Sequence, residues 1–258
     1  ESFPIYPQSE VTADTPADLI IVFTKAMQLD QMMQDIASLI GDQTRVLCLL
    51  NGIGHEDTIE KYVATDKIIL GNTLWTADLI GPGQVRLFGE GSVELQNIGE
   101  GKEAAAKELA EVLTASGLNA SYSENIRYSI YRKACVNGTL NGLCSILDVN
   151  IAQFGNTATA RQMVQTIVGE FAAVAAHESV ELDVPEVVAH IEKTYDPAGI
   201  GLHYPSMYQD LINNHRKTEI DYINGAISRK GRKYNVPTPY CDFLTQLIHA
   251  KEDVLEAK

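Results

Sequence analysis

The stretch DLIIVFTKAMQLDQMMQDIASLIGDQTRVLCLLNG, residues 18–52, decides the fold class. It opens and closes on short apolar runs, LIIVF and VLCLL, rich in branched side chains and without a polar residue at every second position. Strands apolar on both sides suit a parallel sheet covered on both faces. Between them, residues 26–40 carry a helical pattern. A strand, a helix and a strand in succession form the unit of an α/β sheet. Outward from this unit, a short helix follows the His55-Glu56-Asp57 cluster and leads to a third apolar run, KIILGNT, residues 67–73. Gly81-Pro82-Gly83 is then a turn signal. QVRLFGEGSVELQNI, residues 84–98, predicts a hairpin turning at Gly89-Glu90-Gly91. A helix over 102–116 and a short strand near 118–122 complete this part.

After Ser123 no strand signal of similar strength recurs. Helices are predicted over about 123–147, 158–179, 185–194, 218–234 and 239–255, the first capped from Ser123-Glu124-Asn125. The expected class is therefore α/β then all-α. A Rossmann-type parallel-sheet domain over 1–123 precedes a helical domain over 124–258. Such a sheet domain normally opens on a strand, a GxGxxG turn and a helix N-terminus that receives a pyrophosphate. The glycines at 52–54, 81–83 and 89–91 lack that spacing or setting, and the chain starts at Glu1. The expectation is an N-terminally incomplete nucleotide-binding domain, its missing first strand leaving an open sheet edge.

Composition narrows the partners. Of 258 residues, 34 are acidic and 20 basic, for a net charge of −14, which disfavours nucleic acid and anionic lipid. A hydrophobic content of 45% supports a real core. No apolar run is long enough to span a bilayer, and the first ten residues do not read as a signal peptide. Four widely spaced cysteines without a CxxC pair suit a reducing compartment, so the expected location is cytoplasmic. The six histidines lack metal-ligand spacing, and no metal is assigned.

Three segments carry candidate chemistry. In YRKACVNGTLNGLC, residues 131–144, Lys133, Asn137 and Asn141 recur every fourth position and share one helix face. A cationic donor beside two amides suits a carbonyl or carboxylate ligand. A solvated polar stripe would have the same spacing, but the surroundings are apolar and asparagine is a mediocre helix former. In SMYQDLINNHRKTEIDYINGA, residues 206–226, Thr218-Glu219 could simply open a helix. Glu219 and Asp221, two apart, cannot share a helix face, so one needs a partner such as a lysine across a cleft. In LLNGIGHED, residues 49–57, Asn51-Gly52 ends a strand where open α/β sheets bind ligands, though an ordinary turn looks alike. Lys25 ends the first strand in the same way, pointing at a cofactor phosphate or at water.

Taken together, DLIIVFTKA, LLNGIGHED, YRKACVNGTLN, SMYQD and TEIDYING resemble the ketopantoate reductase family along essentially the whole chain. The resemblance implies NADPH-dependent reduction of ketopantoate to pantoate, on the way to pantothenate and coenzyme A. It implies a Rossmann-type domain and a helical domain with the active site between them. It makes Lys133 the catalytic acid and Glu219 the residue that engages both substrate and lysine. Asn137, Asn141, Ser206 and Asn51 would be substrate-binding, with Lys25, Asn51 and Glu219 toward the cofactor. The family's GxGxxG and its basic residue for the NADPH 2′-phosphate would lie before Glu1. Two other expectations stand beside this one: reduction of another 2-oxo acid, and a non-catalytic remnant that binds a small acid or a partner chain. A homodimer is compatible with an apolar helical face.

Overall fold

In the computed structural model, which describes residues 16–88 and 90–257, the chain divides into two compact units. One runs to Leu50 and resumes over His55–Glu124, while the other takes Asn51–Gly54 and Asn125–Lys258.

In the first unit, β1 (Leu19–Val22), β2 (Arg45–Cys48) and β3 (Ile68–Thr73) are parallel neighbours, as their two-sided apolar runs require. The segment between β1 and β2 is helical, but it is an α-helix only over α1 (Leu29–Asp35), flanked by 3-10 turns at Ala26–Gln28 and Ala37–Leu39. A single turn of helix, α2 (Glu56–Ile59), follows His55.

The hairpin lies elsewhere than predicted. It forms between β4 (Thr76–Gly81) and β5 (Gln84–Phe88) about Pro82-Gly83, as a separate two-stranded sheet. The alternative turn at Gly89-Glu90-Gly91 has its first residue outside the described residues. β6 (Val93–Asn97) joins the main sheet instead, antiparallel to β3. The reason is burial: Val93, Leu95 and Asn97 are buried at alternate positions, whereas Val85 and Leu87 of β5 are exposed. α3 (Glu103–Ala115) then leads to β7 (Ala120–Tyr122), parallel to β6, which gives the order β1-β2-β3-β6-β7. Ala106, Ala110 and Leu113 of α3, spaced at helical period, close the core over Leu47, Leu49, Ile69 and Leu95.

The second unit is helical. Asn125 caps α4 (Ile126–Leu147), its side chain accepting the Tyr128 N–H at 3.1 Å. Next come α5 (Ile151–Gly155), α6 (Ala160–Ala176) and α7 (Val184–Lys193). α8 (Ser206–Tyr208) runs into a π-helical turn at Gln209–Asn213. α9 (Asn224–Tyr234) and α10 (Pro239–Val254) end the fold. The predicted helix over 218–234 begins late, at Asn224, because Ile223 is at φ −113° and ψ −92° and only a 3-10 turn, Ile220–Tyr222, precedes it.

α4 packs on α6, α7 and α10. A side chain at Gly138 would put its Cβ 2.4 Å from the Phe171 ring, so glycine sets the close approach of α4 and α6. Two carboxylates staple this core. Glu170 accepts the Tyr240 and Cys241 N–H groups at 2.9 and 2.8 Å and so serves the first turn of α10. Glu178 accepts from the Tyr131 and Tyr234 hydroxyls, each at 2.7 Å, and from the Lys230 ammonium. All four cysteines are free and buried. Burial pushes the Cys48 and Cys144 thiols up to about 12 and raises those of Cys135 and Cys241 as well, which makes them inert toward nucleophilic chemistry at neutral pH. No described helix is long and apolar enough to cross a membrane.

Candidate functional site

α4 carries Lys133, Asn137 and Asn141 at successive helical turns, as the spacing predicts. Asn137 and Asn141 line a small cleft of the helical unit, and Asn141 is buried. Ser206 and Glu219 line the same cleft. So does Asn51, which belongs to this unit because residues 51–54 leave the sheet unit. The Ile53 N–H donates to the Tyr222 carbonyl at 2.9 Å, and Ile53 is part of the helical core. Gly52 makes that approach possible. It sits at φ +106°, and a Cβ there would lie 2.4 Å from the same carbonyl oxygen. Glycine in LLNGIGHED is therefore a steric requirement, and it brings Asn51 to the cleft.

Lys133 lies one turn before Asn137 and is partly buried. Burial lowers its pKa from 10.5 to about 8, and the charge of Glu219 partly opposes the shift. Of the two acids in TEIDYING, Glu219 is thus the one that meets a lysine. Asp221 has its own partner, His249, whose Nε2 is 3.1 Å from Asp221 Oδ1. Glu219 precedes the 3-10 turn rather than opening a long helix.

Three cleft residues escaped the sequence reading. Met207, Asp210 and Ile223 complete the wall, Met207 and Asp210 from the same turn as Ser206. The buried Asp210 accepts from Arg216 Nη2 at 2.6 Å, and the Arg216 N–H donates to the Asp210 carbonyl at 2.8 Å. A π turn widens the helix by one residue, which is common at functional positions. The signal available in SMYQD was the fourfold spacing of Ser206 and Asp210. The cleft so combines amide groups, two carboxylates and a small apolar wall, with a readily deprotonated ammonium beside one of the carboxylates.

Lys25 belongs to the α/β unit and stands with Thr24 just beyond β1. Thr24 Oγ1 is buried without a hydrogen-bond partner. An orphaned hydroxyl and a cation at the carboxyl end of a parallel strand fit the polar part of a nucleotide cofactor.

Comparison with known proteins identifies the family. The model for "Ketopantoate reductase PanE/ApbA" matches residues 2–100, and that for its C-terminal part matches residues 125–252. A 2-dehydropantoate 2-reductase of Lactococcus lactis is 68% identical over 97% of this chain and 80% of its own length. One from Streptococcus pyogenes is 48% identical over 98% and 81%. A solved D-mandelate dehydrogenase, in a ternary structure with NADH and anilino(oxo)acetate, superposes with a TM-score of 0.94. It is 71% identical over 99% of this chain and 82% of its own. The chain belongs to the ketopantoate reductase family.

Proposed function

We propose that the protein reduces 2-dehydropantoate to pantoate with NADPH, in pantothenate and coenzyme A synthesis. The observation that carries this reading is Lys133, with its pKa lowered to about 8 beside Glu219, on a helix face that ends in Asn137 and Asn141. The nicotinamide, when bound, supplies a hydride to the ketone carbon. Lys133 Nζ then gives its proton to the carbonyl oxygen, so that the hydroxyl forms without a free alkoxide. Glu219 holds the ammonium and the substrate in register. Asn137 and Asn141 orient the 2-oxo group, and Ser206 meets the substrate carboxylate. Lys25 and Thr24 of the sheet unit would hold the polar part of the cofactor. We take the enzyme to work in the cytoplasm, since four buried free thiols suit a reducing compartment. We also take it to be a homodimer, for Leu147, Ile200 and Leu202 expose apolar surface on the helical unit.

A second reading keeps the chemistry and changes the substrate to a bulkier 2-oxo acid with NADH. It is favoured by the D-mandelate dehydrogenase likeness and by the apolar Met207 and Ile223 in the cleft. Initial rates with ketopantoate and phenylglyoxylate, each with NADPH and NADH, separate the two. A higher kcat/KM for ketopantoate with NADPH supports the first reading, a higher value for phenylglyoxylate with NADH establishes the second, and silence with both pairs sinks both. Glu219→Ala is expected to raise the KM for the 2-oxo acid at least tenfold. An unchanged KM would remove Glu219 from the substrate site.

A further inference from the structure

We propose that His249, acting with Glu252 and Asp221, is a positioning device for Glu219 whose grip depends on the imidazole being protonated. The inference rests on the reading of Glu219 as a substrate-facing residue. Glu219 occupies a short segment whose two flanks are tied to the same helix. On one side the Thr218 N–H donates to Glu252 Oε1 at 2.7 Å. On the other, Asp221 Oδ1 lies 3.1 Å from His249 Nε2. The loop closes within α10, where His249 Nδ1 is 3.0 Å from Glu252 Oε2. A backbone amide, a buried carboxylate, an imidazole and a second carboxylate thus form a chain that begins at residue 218 and ends at residue 221. Glu219 lies between its ends.

The chemistry of the middle link sets the condition. A neutral imidazole has one N–H and one lone pair, and an ionised carboxylate can only accept. With a carboxylate oxygen within 3.1 Å of each ring nitrogen, both hydrogen bonds exist together only in the imidazolium form. Burial lowers the His249 pKa, but the Asp221 and Glu252 carboxylates outweigh it and hold the group above its ordinary value. The charged groups facing the ring are Asp221 from the 3-10 turn and Glu252 from its own helix. From α9, the Arg229 guanidinium comes near Asp221 beside Gly225. Lys251 of α10 itself reaches the Ser145 carbonyl of α4, and Glu170 of the neighbouring α6 is taken up at the first turn of α10. When the pH rises through the His249 pKa, one contact becomes acceptor against acceptor, and the segment bearing Glu219 loses a tie.

His249 does not touch the cleft, so its removal acts on substrate affinity and leaves the proton transfer from Lys133 in place. In the full-length enzyme, His249→Gln and Asp221→Asn are each expected to raise the KM for the 2-oxo acid about tenfold. The kcat, the cofactor KM and the melting temperature stay near the wild-type values. A purely structural role would move the melting temperature and spare the KM. The wild-type KM is further expected to climb with pH above the His249 pKa, while in His249→Gln it is flat. Asp221→Asn, at a half-exposed position, decides the matter if His249→Gln fails to fold. Glu219→Gln run in parallel separates the two claims. A raised KM there with unchanged KM in both relay variants overturns the relay alone, whereas an unchanged KM in Glu219→Gln overturns the substrate role and the relay with it.

Discussion

Replacing Lys133 with alanine is expected to lower kcat by about 10²–10⁴-fold, the usual contribution of a positioned general acid. The measurement is oxidation of the reduced nicotinamide in the full-length enzyme, with the 2-oxo acid saturating. Arginine is no substitute, since it keeps the charge but does not give up a proton near neutrality. In the wild type, kcat falls as the pH rises through about 8, because the ammonium that must donate is then lost. The same residue has an opposite effect on stability. An unfolded lysine holds its proton to about 10.5 and the folded one only to about 8, so the unfolded state binds more protons between these values. Stability therefore rises with pH across that window, and below it the partly buried charge costs roughly 3 kcal/mol. Lys133→Met is thus expected to melt higher than wild type at pH 7 while losing turnover. Lys133→Ala activity within about threefold of wild type would remove the lysine from the chemistry.

Replacing Glu178 with alanine is expected to destabilise the helical unit by about 3–5 kcal/mol, read as a fall in melting temperature. Its side chain is 11% exposed and its partner Lys230 is 15% exposed. Two tyrosine hydroxyls end on the same carboxylate, and Tyr131 lies in the core cluster. Alanine leaves an ammonium buried without this counter-charge and takes one acceptor from each of two phenols. Burial raises the Glu178 pKa, but hydrogen bonds from Lys230, Tyr131 and Tyr234 more than reverse that and leave it below 4.5. A carboxylate with a depressed folded pKa contributes stability above the unfolded value, and that stability is lost as the pH falls through the folded one. The gap between wild type and Glu178→Ala should be full at pH 7 and close in acid. A gap that does not depend on pH would mean that packing, not charge, holds the cluster.

The two-sided apolar runs that became β1, β2 and β3 were plain in the sequence, since parallel strands advertise themselves by composition alone. The Lys133, Asn137 and Asn141 face was equally legible, because helical period fixes which residues share a side. What failed depended on partners far away in the chain. Two glycine-bearing turns competed for the hairpin, and the choice followed from which flanking strand had a buried face. TEIDYING reads as the start of a helix, but the Thr218 amide is held by a carboxylate 34 residues on. Asp210 stayed hidden because a π turn has no clear sequence signature, and Met207 of α8 because a lone apolar side chain reads as core.

The excursion of residues 51–54 bears on how the molecule is made. The Ile53 amide waits for the Tyr222 carbonyl, which leaves the ribosome 169 residues later. Until then the helical core lacks one of its side chains, and Asn51 has no wall to complete. Contacts of such long sequence separation form late and slowly. The sheet unit can condense early during synthesis, but the site matures only once residue 222 has been made. A nascent chain stalled before residue 222 should have ordered sheet structure and no affinity for the acid substrate.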